Sequence, residues 1–285
     1  MDDFSAFVPN VRFEKIPIKN LFSNQDYQRN LSQKHIQKTV ENFDIHQINP
    51  VKVSRRDGQN YVFNGQHTIE IIAAVSGSRE TPVWCMIFED MDYEVEADTF
   101  ANQQKNVKPL LPYEIFKANL EAGNDTQHMI KSLVESMDLV IGPTKAMRTI
   151  CAISTLEEIY TKHGYHVLER TLRLCVGTWE GEPNSLSSNM LRGVCRMILA
   201  YGDAMRDDLF KEKVGRYSAK EISRQAKDRR VGSLGYAEAM LMAYNWKMKN
   251  KLKWSLLINK KGRTADEYEM NDCAYDSDAD EPEDD

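Results

Sequence analysis

The residues best placed to do chemistry are Asn64-Gly65-Gln66-His67-Thr68. They follow the apolar run Tyr61-Val62-Phe63 and open a second run, Thr68 to Val75, that Gly77 stops. The first run reads as a strand and the second as a short helix. Glycine at such a junction lets the backbone approach a ligand closely, and the first amides of the helix carry partial positive charge. The turn is therefore suited to a phosphate or another anion. Gln66 adds an amide donor, and His67 adds a ring that donates or accepts near neutral pH. Many strand-to-helix connections also use a glycine simply to turn, so an anion site and a plain turn are both open at this point.

A second constellation lies near the C-terminus. Ser218-Ala219-Lys220-Glu221 is a capping box, and the helix it opens, Ser218 to Arg229, carries Lys220, Arg224 and Lys227 at spacings of four and three. Ile222 and Ala226 fall on another face. With Arg229 and Arg230 this basic stripe suits phosphate contacts, whereas the plainer alternative is a solvated amphipathic face. The chain continues to Tyr244-Asn245-Trp246-Lys247, Lys249, Lys251, Lys253 and Trp254, where aromatics interleave with lysines as in surfaces that stack bases. The alternative there is aromatics packed inward. No helix pair in this half shows a helix-turn-helix spacing with a glycine turn.

The elements that must position the Gly65 turn can be read from pattern. Val11 to Ile18 alternates as a strand, Ser32 caps a helix running to about Phe43, and Val51-Lys52-Val53, Asp57-Gly58 and Tyr61-Val62-Phe63 read as a hairpin. After the turn and its helix come a strand, Val83 to Phe88, and a helix, Tyr93 to Asn106. Beyond Pro112 only helices are expected: Tyr113 to Ala122, Thr126 to Ser136, Thr144 to Lys162, Val167 to Trp179, Ser187 to Tyr201, Ser218 to Arg229 and Tyr236 to Lys249. The reading is an α/β (α+β) domain over 11–109, an all-α helical domain over 112–258, and a disordered acidic tail over 266–285.

Composition sets the outer bounds. The chain has 285 residues, 41% of them hydrophobic, which favours two domains. Its net charge of −6 conceals an asymmetry, since Asp266 to Asp285 holds 11 acids and no Lys or Arg. Arg206 to Arg263 holds 16 basic residues against 6 acidic ones. The acidic tail cannot bury enough apolar surface to order itself; it either solubilises the chain or competes with nucleic acid for the basic block. The cysteines Cys85, Cys151, Cys175, Cys195 and Cys273 form no close pair, and His163 with His166 lacks partners to complete a metal shell, so no metal site is expected. No run approaches the roughly 18 apolar residues of a membrane span. A cytoplasmic protein of a bacterial or phage-infected cell is expected.

Order and spacing across the first domain add a resemblance. Lys15-Ile16-Pro17-Ile18, Tyr27-Gln28-Arg29, a helix, Ile48-Asn49-Pro50-Val51-Lys52-Val53, the strand and turn from Tyr61 to His67, and then Thr81-Pro82-Val83 resemble the N-terminal domain of ParB-type proteins in the ParB/sulfiredoxin-like superfamily. In ParB proteins the glycine turn reads Gly-Glu-Arg-Arg and holds the phosphates of CTP; in sulfiredoxins it reads Gly-Cys-His-Arg. Gly65-Gln66-His67-Thr68 is most similar to the Asp-Gly-Gln-His-Arg variant, with Asn64 for Asp and Thr68 for Arg. Sulfiredoxin activity is excluded, because Gln66 stands where the nucleophilic Cys would be. The family motif Glu-Asn-x-x-Arg corresponds to Ala101-Asn102-Gln103-Gln104-Lys105, so Asn102 and Lys105 are implied at the ligand. The missing carboxylate at Ala101 implies weak magnesium binding at most. Arg29 is implied to line the same pocket.

The sequence thus points to a regulatory protein of phage, plasmid or defence type. It would bind a nucleotide (CTP or ATP) or a nucleic-acid phosphate at Gly65-Gln66-His67, with DNA or another nucleic acid at the helical domain. The expected partners are nucleic acid and further copies of the chain as a homo-oligomer, with no membrane. The alternative is an enzyme, a ParB-like nuclease or nucleotide hydrolase, for which Glu70, Glu96 and Asp98 are the carboxylates at hand, in no recognised motif. No catalytic residue can be named. A third reading makes both domains an assembly module.

Overall fold

Alternation of apolar and polar residues produces β1, Val11–Pro17, in the computed structural model of the chain, which describes residues 8–23, 27, 28, 30–89, 91–103, 105 and 108–258. The chain divides into two compact units, Met1–Pro109 and Leu110–Asp285. Arg29 and the segment 266–285, with its expected disorder, lie outside the described residues.

In the first unit β1 is followed by β2 (Leu21–Ser23), α1 (Gln33–Glu41), β3 (Val51–Arg56), β4 (Gln59–Asn64), α2 (Gln66–Ser76), β5 (Pro82–Phe88) and α3 (Tyr93–Gln103). The strands form one mixed sheet in the order β1-β5-β3-β4-β2. β1 runs antiparallel to β5, β3 antiparallel to β4, β3 parallel to β5, and β2 parallel to β4. Asp57 and Gly58, both at positive φ, close the β3–β4 hairpin, as the Asp-Gly pair requires. The period of two sorts the side chains. Val51, Val53, Val62, Val83, Cys85, Ile87 and Ile16 form a core with Ile69 of α2, while Phe63 meets Phe88 edge-on at 5.6 Å on the other face. Burial pushes the Cys85 thiol up to about 11, so it serves as core and not as a nucleophile.

The second unit comprises α4 (Pro112–Glu121), α5 (Asp125–Glu135), β6 (Val140–Ile141), β7 (Thr149–Ile150), α6 (Ile153–His163), α7 (Tyr165–Trp179), α8 (Ser188–Tyr201), α9 (Asp207–Val214), α10 (Ala219–Lys227), α11 (Ser233–Asn245) and α12 (Trp254–Ile258). It is therefore not strictly all-α, because β6 and β7 pair in a short parallel ladder. The helix expected from Thr144 begins only at Ile153. Arg148 explains the difference: at a φ of 58° it cannot continue a helix. Its amide donates to Gly181 O at 2.7 Å, and its guanidinium donates to the Asp138 and Met137 carbonyls at 2.7 and 2.8 Å. α9, absent from the sequence reading, also belongs to this unit.

At its centre lies α11, every residue of which is buried except Met242 and Asn245. It packs against α8, α9, α10 and α12. Gly235 lets α10 come close, since a Cβ there would fall 2.3 Å from the Arg230 carbonyl oxygen and 2.8 Å from that of Ala226. Among the described residues no helix is long and apolar enough to cross a membrane.

Candidate functional site

The turn between β4 and α2 is dictated by one residue. Gly65 sits at φ 108°, ψ 13°, a conformation that side-chain-bearing residues rarely adopt. Space is tight as well, because a Cβ there would lie 3.2 Å from the Cα and Cγ2 atoms of Val51, which would have to give by a few tenths of an ångström. α2 starts at Gln66, two residues before the expected start, and its first intrahelical bond runs from the Ile69 amide to the Gly65 carbonyl at 3.0 Å. The amides of Gln66, His67 and Thr68 thus form the first turn ahead of that bond, at the positive end of the helix dipole.

His67 is half-buried, and its Nε2 accepts the Ser32 amide at 3.1 Å. Accepting there places the proton of the neutral ring on Nδ1. Ser32 in turn caps α1, its Oγ accepting the His35 amide at 3.3 Å, and the His35 ring meets His67 edge-on at 5.5 Å. The N-terminal ends of α1 and α2 therefore meet at His67. Gln66 is 93% buried and points inward, whereas Thr68 remains part-exposed at the surface of the first turn.

On the other side of the turn, Asn64 Nδ2 donates to Gln103 Oε1 at 2.6 Å, tying the end of β4 to the end of α3. This bond brings Asn102 and Lys105 into the same neighbourhood. Asn102, however, donates to Asp98 at 2.8 Å and accepts from Lys105 Nζ at 2.9 Å. These residues do not fit a magnesium ion: Ala101 offers no oxygen, and the Asn102 oxygen already holds an ammonium. No group of three or more His, Cys, Asp or Glu able to hold a metal occurs among the described residues.

The strands and α3 also enclose a polar cluster that sequence reasoning missed. Glu96, fully buried, accepts the Tyr27 hydroxyl and pairs with Arg56 at 3.1 Å, while the Arg56 guanidinium stacks 4.0 Å over the Tyr61 ring. Gln28, also buried, donates to the Val62 carbonyl. Together these contacts fasten residues 27 and 28 to β4 and α3. Burial first, and the Glu96 bond second, raise the Tyr27 phenol above its ordinary value. Of the other carboxylates, Glu70 pairs with Arg79 at 3.0 Å and Asp98 with Asn102, so the three do not converge.

In the second unit α10 buries Ala219, Ile222 and Ala226 and exposes Lys220, Arg224 and Lys227. Arg229 and Arg230 follow, exposed, with Arg230 lying 3.5 Å from Glu238. The Ser218 amide and hydroxyl, with a smaller contribution from Arg224, hold the Glu221 carboxyl below its ordinary range. That carboxylate is occupied with capping. α9, of 8 residues, and α10, of 9, are joined by Gly215-Arg216-Tyr217-Ser218, and both pack on α11.

No functionally curated protein matches the chain. Among solved structures, the C-terminally truncated chromosome-partitioning protein ParB from Caulobacter crescentus matches in a complex with CTP-gamma-S. It has 11% identity and a TM-score of 0.35, over 80% of this chain and 98% of that one. The same protein on its centromeric parS site matches at 11% identity and a TM-score of 0.25, over 79% and 97%. Likeness of that degree transfers neither fold nor ligand. The match to a family is direct: residues 22–255 fit the model of a family of unknown function (DUF6551), and the chain belongs to that family.

Proposed function

We propose that this chain is a regulatory protein of phage, plasmid or genome-defence type that holds a nucleotide or nucleic-acid phosphate at the Gly65 turn and contacts DNA through α10. The observation that carries the reading is the meeting of two helix N-termini at His67, beside a glycine whose positive φ and tight packing on Val51 disfavour a side chain. Both first turns carry the partial positive charge of a helix start, which favours an anion beside them. Thr68 supplies a hydroxyl on the same turn, and Lys105, whose Nζ donates to Asn102 Oδ1, is the candidate outer cation. The motif order of residues 15–83 makes CTP the first nucleotide to try and ATP the second, each with and without magnesium.

Thr68 offers a test that separates binding from folding. It is the third residue of α2, where a carboxylate favours the helix and repels a bound anion. Thr68→Glu is expected to weaken nucleotide binding about tenfold or more while leaving the melting temperature unchanged or raised. Thr68→Arg should strengthen it. Calorimetry on the full chain reads both, and equal affinity in all three proteins would end the reading.

For the DNA contact, reversing Lys220, Arg224 and Lys227 to Glu is expected to abolish duplex binding at moderate salt. In wild type, affinity should fall with salt at a slope of roughly 0.9 per phosphate neutralised. Since these side chains are exposed and the apolar face of α10 is untouched, the fold should persist. Undiminished duplex binding by the triple variant would remove α10 from the proposal.

A further inference from the structure

The chain leaves α11 at Trp246 and enters α12 at Trp254, and the eight positions after Asn245 up to Lys253 form a loop whose composition and anchoring are unusual. Lys247, Lys249, Lys251 and Lys253 alternate through it and are all exposed. The intervening Met248 and Leu252 turn the other way and pack against the core. Asn245 closes the loop: its Nδ2 donates to the Leu252 carbonyl and its Oδ1 accepts the Leu252 amide, both at 2.9 Å. The Lys253 carbonyl accepts the Tyr201 hydroxyl at 3.0 Å, which pins the far foot to α8. At the two feet stand Trp246 and Trp254, 56% and 52% exposed. Tyr244, the third aromatic of the run, is buried in the core and takes no part.

Two half-exposed indoles flank one lysine-rich loop, a pairing of aromatic and cationic groups on a short stretch of chain. The electrostatics are one-sided. From Ala239 to Ala265 the sequence contains no acidic residue, so within that stretch nothing offsets the four lysines. A loop anchored at both feet, exposed cations and two half-exposed indoles are the components from which sequence-tolerant single-strand sites are built: cations follow the phosphates and aromatic rings accept the bases. A duplex keeps its bases stacked inside and would leave the indoles without a role. An anionic membrane fits less well, because the residues that project between the feet are Lys and Asn, while the apolar Met248 and Leu252 face inward. We infer that the loop between Trp246 and Trp254 is a binding site for single-stranded nucleic acid, with the indoles stacking on bases and Lys247, Lys249, Lys251 and Lys253 contacting phosphates.

The site shares no residue with the outer face of α10, and its test keeps the two distinct. Titrating the full-length protein with a fluorescein-labelled oligothymidine should raise anisotropy and quench tryptophan emission. Trp246→Ala and Trp254→Ala should each weaken binding about tenfold, and the double variant should lose the quenching with an unchanged melting curve. Replacing Lys249 and Lys251 by Ala should lower the salt slope by roughly 0.7 per lysine. Charge reversal of Lys220, Arg224 and Lys227 should leave the tryptophan quenching in place, whatever it does to duplex binding. No binding of oligothymidine at low salt, unaltered affinity in the double tryptophan variant, equal competition by a duplex of the same length, or stronger binding to phosphatidylserine vesicles than to the oligonucleotide would each overturn the assignment.

Discussion

Gly65→Val is expected to cost the first unit roughly 2–6 kcal/mol, enough to unfold a domain of ordinary stability at physiological temperature. Two effects add. A valine held at φ 108° carries strain of roughly 1–3 kcal/mol. Its Cβ, 3.2 Å from the Val51 backbone, then overpacks the core by a further 1–3 kcal/mol or so. Gly58→Asn is the control, because Gly58 also has positive φ, at 73°, with nothing within 4 Å of a new Cβ. That variant should lose about 1 kcal/mol or less. A second comparison isolates the contact: Gly65→Ala should be partly rescued by Val51→Ala, which clears the space it needs. Urea unfolding of the four variants decides the matter. If Gly65→Val stays within about 1 kcal/mol of wild type, the backbone at the turn is not as described and the anion site built on it goes too.

The buried cluster under α3 carries the second large effect. Removing one partner of a fully buried ion pair costs roughly 3–5 kcal/mol, because the other charge is left without compensation. Glu96 is fully buried, but the Arg56 side chain keeps 23% exposure and its stacking on Tyr61, so Glu96→Ala should cost somewhat less, about 2–4 kcal/mol. Tyr27→Phe deletes only the hydroxyl bond and should cost about 1–2 kcal/mol. The two losses should not add, since both act on one carboxylate. The phenol also gives an alkaline signature. Its folded-state pKa lies above the ordinary 10, so its contribution is complete below pH 10 and is lost as pH rises toward the folded value. Tyr27→Phe should therefore flatten the decline of stability above pH 10. A decline as steep as in wild type would show that another group titrates there.

What the sequence made legible was local chemistry. Asp57-Gly58 declared a hairpin because two positive φ values in succession suit few other pairs, and Ser32 and Ser218 declared helix starts through their hydroxyls. Patterns carried by few buried residues stayed hidden. β2 has only Leu21 buried among its three residues, and α9 buries only Phe210 and Val214 amid charged neighbours. The helix drawn from Thr144 shows the opposite error, since apolar spacing around Met147 and Ile150 suits a helix as well as a short ladder. Only the backbone of Arg148 distinguishes them. At the candidate site the turn could be read because its residues are consecutive. Its supports could not. Ser32 reaches His67 across 35 positions, Gln103 reaches Asn64 across 39, and Tyr27 reaches Glu96 across 69.

The burial of α11 on nearly every side has a consequence for how the second unit opens and closes. An amide in a helix with no solvent-facing stripe exchanges its proton with water only when the surrounding helices separate, whereas one at the periphery exchanges through local opening. In deuterium exchange the α11 amides from about Ala237 to Leu241 should thus be the slowest of the unit and report its global unfolding. Those of α10 and the 246–253 loop should exchange earlier and through their own fluctuations. The basic elements that would meet nucleic acid hang on a helix that does not yield, so a ligand can slow exchange in either of them without altering the rate at their common support.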